Sequence, residues 1–171
     1  NQDGAETPAY VYSHYFLGRR ATALARIDLL NKLSQNFDVT VYTHADCKDI
    51  LPTAIYGGKI DYYDTMPTVF QHSKLNLNIT LKTIQTGIPL RAWDILGCGG
   101  FLLTNFQQEL CDFFIPGEDF VYYESPADAI EKAAYFLSHD RERQEITHNA
   151  FEKIAASHTF HHRVQSMFEI I

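Results

Sequence analysis

The sequence predicts an α/β fold, a Rossmann-like parallel sheet with helices on both faces, and three observations predict it. Short β-branched and aromatic runs, such as DVTVYT at 38–43, alternate with segments of helical spacing, such as Leu24, Ile27, Leu30 and Leu33. Glycine, proline and asparagine punctuate the junctions between them. No internal repeat, low-complexity tract or linker interrupts the alternation, so one domain is expected to span all 171 residues. Strands that alternate with helices lie parallel, with the helices crossing over the sheet.

In chain order, residues 9–17 are apolar and aromatic and read as a first strand, closed by Gly18. The spacing predicts a helix over 22–33 and a second strand over 38–43. Residues 44–58 read as irregular, with a short helix and a turn at Gly57 and Gly58. A short helix is expected over 65–72, its Met66, Val69 and Phe70 facing in. Residues 75–79 alternate around asparagines as a strand. A helix over 90–96 and a buried strand over 101–104 follow, then a short helix over 107–114 and a strand over 119–122. Three helices, over 126–138, 141–157 and 159–171, close the chain.

Composition narrows the function classes. Apolar residues make up 46% and charged residues 20%, as in an ordinary globular protein. A net charge of −7 without a long basic run argues against wrapping a nucleic acid backbone. No apolar run approaches the roughly 20 residues of a membrane span. The chain begins without Met and shows no signal peptide, so it is read as trimmed from a longer protein. Cys47, Cys98 and Cys111 are an odd number without CxxC spacing, read as reduced thiols of a cytoplasmic protein.

The chemistry concentrates in TGIPLRAWDILGCGGFLLTN at 86–105. Gly87 and Pro89 turn the chain, so a helix can start just after them. A helix start gathers free backbone N–H groups that suit a phosphate. Arg91 sits in that first turn, where a cation opposes the helix dipole unless an anion meets it. Asp94 follows on the same helix face, and a carboxylate accepts two hydroxyls at once. Anion site plus carboxylate is the minimum kit for a nucleoside diphosphate. A ligand is expected at the carboxyl end of the sheet, where the segments 18–20 and 86–91 are both expected to lie.

This segment resembles the donor-binding segment of retaining GT-B glycosyltransferases, with Gly87, Asp94 and Gly99 at the positions of its first Gly, second acid and closing Gly. It is more closely similar to the CgeB-like (spore-maturation-protein-like) group. That likeness runs through LNLNIT at 75–80, TGIPLRAWD at 86–94 and GGFLLTN at 99–105. It continues through FFIPGEDFVYY at 113–123, FLSHDRERQEI at 136–146 and HTFHHR at 158–163. The chain departs from the wider pattern where Thr86 replaces the first acid, used there on the sugar, and Pro89 the second Gly. The resemblance implies the C-terminal half of a GT-B fold, a donor nucleotide domain whose N-terminal acceptor domain lies outside this chain. It implies a nucleoside diphosphate sugar as substrate, UDP-sugar favoured, with no cofactor. It assigns donor contacts to Gly18, Arg19, Arg26, Asn78, Thr86, Gly87, Ile88, Pro89, Arg91 and Asp94, with Arg91 catalytic.

Each of these has a plain structural reading beside the functional one. Gly18 can simply end a strand, and Arg19, Arg20 and Arg26 can be solvated. Asn76 and Asn78 can satisfy a sheet edge or a loop, and Arg91 can pair with Asp94 across one helical turn. Trp93 reads as core. Gly97, Gly99 and Gly100 follow a helix and precede a strand, the reverse of a dinucleotide fingerprint, and let the helix end and the strand pack closely. His158, His161 and His162 lack an acid or Cys at zinc spacing, and Thr159 reads as a helix N-cap. Residues 61–64, DYYD, are not the D-x-D of metal-dependent glycosyltransferases, so no metal is expected; Tyr62 or Tyr63 is a candidate to stack on a base. Three function classes stay open: a transferase donor domain; a degenerate module of the same fold serving assembly, which Thr86 favours and Arg91 with Asp94 disfavours; and another Rossmann-like sugar-phosphate enzyme such as an epimerase of the GT-B type, which would want an acid–base pair that the sequence does not show.

Overall fold

A computed structural model describes residues 7–84 and 86–169. The fold is α/β with parallel strands in two small sheets and helices around them. The chain forms two compact units, one of residues up to Lys59 together with Ile79–Gly87, the other of Ile60–Asn78 with the chain from Ile88 on.

The first unit opens with helix, not strand. Helix α1, Pro8–Val11, runs through a π-helical stretch, Tyr12–Gly18, into α2, Arg19–Ser34. The strand expected over 9–17 is thus a correction. Thr7 accepts a hydrogen bond from the Tyr10 N–H, and Pro8 pre-sets the first helical φ. Aromatic pairs four residues apart then stack, Tyr10 on His14 at 4.5 Å and Tyr12 on Phe16 at 5.9 Å. A capped start with such pairs outweighs β propensity, which is weak without a neighbouring strand. Gly18 therefore lies within a helix at φ −64°, not behind a strand.

Strand β1, Thr40–Tyr42, pairs in parallel with β2, Ile55–Gly58. Gly57 and Gly58 belong to that strand, where a turn was expected. Gly57 is needed because the Tyr42 ring lies over it: a Cβ there would meet ring atoms at 2.6 and 2.7 Å. Glycine in a strand marks such close approach as readily as it marks a turn.

The second unit follows the expected alternation. Helix α3, Met66–His72, precedes β3, Asn76–Asn78; α4, Leu90–Gly97, precedes β4, Leu102–Asn105. A 3₁₀ turn, Gln108–Asp112, leads to β5, Val121–Tyr123. The strands form one parallel sheet in the order β3-β4-β5, with Asn78 opposite Thr104 and Thr104 opposite Tyr122. Helices α5, Pro126–Ser138, α6, Asp140–Ser157, and α7, Phe160–Glu169, complete the unit, and the expected last two helical residues lie outside the described ones.

The core gathers on the buried face of α4. Ala92, Ile95 and Leu96 pack with Leu102, Leu110, Phe114, Phe120 and, from α6, Ala150 and Ile154. Trp93 joins them at the margin, half-buried, as expected. The helix ends in a Schellman motif: Gly99 takes φ +71°, its N–H reaches Leu96 O at 3.1 Å, and the Gly100 N–H reaches Ile95 O at 2.8 Å. Ser125 caps α5 through the Asp128 N–H at 3.1 Å. Thr159 caps α7, bonded to the His162 N–H and ring, as the sequence predicts.

Candidate functional site

The site residues on the second unit stand at the start of α4. Gly87 takes φ +96°, a backbone conformation that favours glycine, and Pro89 in extended conformation launches the helix. Pro89 offers neither an N–H nor a side-chain cap, and no acid lies in the first turn. The helix start is left polar and positive, with Leu90, 77% exposed, ahead of Arg91.

Arg91 is held by soft and aromatic neighbours. Its guanidinium contacts the Met66 sulfur, and it lies 5.6 Å from the Phe70 ring centre and 5.8 Å from that of Tyr62. It takes part in none of the ion pairs found among the described residues, so the expected alternative of an Arg91–Asp94 pair is not what the structure shows. Asp94 is met instead by the Tyr62 hydroxyl, 2.9 Å from each carboxylate oxygen. That hydrogen bond, with a smaller contribution from burial, raises the Tyr62 phenol above its usual range. The loop carrying Tyr62 is set by Asp61, whose Oδ1 accepts from the N–H groups of Tyr63 and Asp64 at 2.8 and 2.9 Å.

The sequence singles out Arg91, Asp94 and Tyr62 separately and does not show that Tyr62, Met66 and Phe70 gather around the first two. Met66, Phe70 and Tyr62 precede α4 by about 20 to 30 residues, and no local pattern announces that α3 and its leading loop meet α4. Tyr62 was a candidate for stacking on a base; its observed partner is a carboxylate.

Asn78 is turned into the sheet. It is buried, and its side-chain amide donates to the Thr104 hydroxyl at 2.9 Å while its main-chain carbonyl accepts from the Tyr123 hydroxyl. Asn76 likewise donates to Phe70 O at 3.0 Å. Both asparagines hold β3 to its surroundings, which explains asparagine on a strand. Ile88 packs, partly buried, against the core.

Gly18, Arg19, Arg26 and Thr86 belong to the first unit, as does Gly87. Gly18, Thr22 and Arg26 recur every four residues and dock one helix face onto the segment 79–83. Thr22 Oγ1 donates to Gly18 O at 2.8 Å and accepts from the Lys82 N–H at 3.0 Å; Arg26 donates to Ile79 O at 3.0 Å. A Cβ on Gly18 would collide with Thr83. Close approach is indeed what Gly18 permits, with a neighbouring segment of the chain as the observed visitor. Arg19 is exposed, 5.7 Å from the Tyr15 ring centre, and Thr86 is exposed as well.

The C-terminal motif HTFHHR is structural. His158 sits against Trp93, Phe113 and Phe114, with ring centres 5.4 to 6.0 Å away, and pairs with Arg163 at 3.0 Å. Burial, then the charges of Arg163 and His162, holds His158 below the usual histidine range. Among the described residues, no three His, Cys, Asp or Glu side chains gather to hold a metal ion. No helix there is long and apolar enough to cross a membrane. The three cysteines are free thiols, and burial raises Cys98 and Cys111.

The start of α4 thus carries a positive helix end, Arg91 outside the ion pairs found among the described residues, and Asp94 one turn on. No curated relative matches the chain. The sequence model of one family, described as glycosyl transferase-like, matches residues 19–169, nearly the whole chain and both units. The chain therefore belongs to the glycosyl transferase-like family.

Proposed function

We propose that the chain is the donor-nucleotide domain of a GT-B glycosyltransferase of the CgeB-like group, binding a nucleoside diphosphate sugar, with UDP-sugar favoured. One observation carries this reading. Arg91 stands in the first turn of α4, where it is electrostatically misplaced, and takes part in none of the ion pairs found, while Asp94 offers two acceptor oxygens one turn later. The diphosphate meets Arg91 and the N–H groups at the helix start, which Thr86, Gly87, Ile88 and Pro89 shape; the ribose hydroxyls meet Asp94.

On this reading the bond from sugar C1 to the diphosphate oxygen breaks as the acceptor hydroxyl oxygen bonds to C1, and the hydroxyl proton passes to the departing diphosphate. The negative charge growing on the leaving oxygen is met by Arg91 and the helix start, fixed in place beforehand. No metal is required for that step, and the protein needs no resident cofactor. Asn78, buried in the sheet, supports the site from beneath. All 171 residues act as one donor domain, in the cytoplasm, with an N-terminal acceptor domain as partner. The chain alone binds nucleotide weakly and turns over little.

The test is the thermal midpoint with UDP, GDP and ADP at millimolar concentration, beside Asp94→Ala and Arg91→Ala. Ligand at about 100 times its dissociation constant adds roughly 2.7 kcal/mol, a shift of several degrees. A shift with one nucleotide, lost in both variants, supports the reading; no shift with any of them sinks it.

A further inference from the structure

One side chain covers both groups that the donor reading needs. The Tyr62 hydroxyl lies 2.9 Å from each Asp94 oxygen, and the Tyr62 ring lies 5.8 Å from the Arg91 guanidinium. We propose that Tyr62 is an internal gate on the donor site: its phenol holds Asp94 as a stand-in for a ribose hydroxyl, and a nucleotide enters by displacing it. The gate rests on the donor reading of Arg91 and Asp94.

The exchange is favourable by donor count. A phenol has one proton, here shared between two carboxylate oxygens. A vicinal diol brings two protons, one for each oxygen. The displaced hydroxyl returns to water, so it is not left unsatisfied. Tyr62 is also free to leave: it is 43% exposed and absent from the buried core. Its loop is pinned by main-chain bonds to Asp61, including the Met66 N–H to Asp61 O at 2.9 Å. The ring can therefore rotate out about its own side-chain bonds while the loop keeps its course. As it leaves, it uncovers one flank of Arg91, whose other contacts, Met66 and Phe70, stay on α3. Opening at the ribose end and at the phosphate end is thus one event.

The test measures UDP affinity by calorimetry for the chain and for Tyr62→Phe, Tyr63→Phe and Asp94→Asn, with tyrosine 13C NMR beside it. Tyr62→Phe keeps the ring over Arg91 and deletes only the competing hydroxyl. UDP is expected to bind it about fivefold more tightly, the equivalent of one modest net hydrogen bond at an exposed site. Tyr63, 82% exposed with its ring edge-on to that of Tyr62, serves as control, and Tyr63→Phe is expected to match the parent. The Tyr62 phenol signal is expected to move on adding UDP and, in Asp94→Asn, to titrate closer to an ordinary tyrosine.

UDP binding with unchanged or weaker affinity in Tyr62→Phe overturns the gate and leaves the donor site standing. So does UDP binding that leaves the Tyr62 signal where it was. UDP binding to Tyr62→Phe when the parent binds none supports a closed gate. No binding to either overturns the gate together with the donor reading.

Discussion

Gly100→Ala is expected to destabilise the second unit by about 3 kcal/mol, the range for forcing a methyl group into a filled space. The structure supplies the reason. A Cβ at Gly100 would sit 2.7 Å from the Asn76 amide nitrogen, 2.9 Å from Phe70 O and 3.1 Å from Ile95 O. Two of those atoms are backbone, and the third is fixed by its own hydrogen bond to Phe70 O at 3.0 Å. None can yield as the tip of a flexible side chain would, so α3, β3 and the end of α4 must separate. Gly97→Ala is the internal control. There the nearest atom is Ile154 Cγ2 at 3.8 Å, an ordinary contact, and alanine gains up to about 1 kcal/mol of helix propensity over glycine. Trp93 is the one tryptophan of the chain and lies beside the core of this unit, so its fluorescence reports that unit's unfolding. In a thermal scan Gly100→Ala should lose roughly 6–12 °C, at 2–4 °C per kcal/mol for a chain of this size. Gly97→Ala should stay level or rise. Equal midpoints for the two variants would refute the steric argument.

Three further predictions concern stability. The unfolded His158 takes up a proton near pH 6.5 whereas the folded one, its affinity lowered by burial, does not. The unfolded state then binds more protons, so stability is full above about pH 6.5, falls as pH drops below it, and levels off beneath the folded value. Urea midpoints of His158→Gln between pH 7.5 and 5 should fall less than those of the parent; equal slopes would count against it. Lys153 pairs with Asp119, a carboxylate only 1% exposed that also accepts from the Ile115 N–H at 2.7 Å. Lys153→Met strands that charge and should cost about 3 kcal/mol in urea unfolding, whereas a loss below about 1 kcal/mol would show that water reaches it. In the first unit, Thr22→Val keeps the shape of a side chain 2% exposed but leaves the Lys82 N–H without its acceptor. About 2 kcal/mol should be lost by circular dichroism in urea, and an unchanged midpoint would refute a structural role for that bond.

What the sequence revealed and what it concealed divide along physical lines. From residue 65 on, each element stands within a few residues of its expected place, because helix caps and breaks are local. Ser125 and Thr159 as caps and Gly99 at positive φ are written in three or four consecutive residues each. The errors fall in the first unit, where local signals compete. Residues 9–17 carry strong β propensity, but Thr7 and Pro8 just ahead of them carry a helix start, and no neighbouring strand supports the alternative. Gly57 carries a turn signal, yet the cause of glycine there is the Tyr42 ring, 15 residues earlier. Of the site, the part confined to 86–94 was legible. Tyr62 was legible as a candidate for a base rather than for Asp94, and its meeting with Met66 and Phe70 around Arg91 was not legible, since it comes into being only when α3 meets α4.

The surroundings of Arg91 bear on why an arginine stands there at all. A cation in the first turn of α4 costs the helix roughly 0.3–1 kcal/mol against its dipole. A structural arginine would recover that cost from a carboxylate, and one stands a single turn away on the same face. Yet Asp94 is taken by Tyr62, and Arg91 is braced by a thioether and two aromatic rings. Those partners fix a guanidinium without neutralising it, so its charge and the helix dipole point the same way and add. A lysine in its place would keep the charge but lose the flat face that lies on the rings. Arg91→Lys is therefore expected to leave the Trp93-reported midpoint within about 1 kcal/mol of the parent while weakening UDP binding roughly tenfold, the loss of one bidentate contact to a phosphate. Calorimetry with UDP decides it: affinity retained in Arg91→Lys would mean that point charge alone suffices, and that the aromatic bracing of Arg91 serves packing.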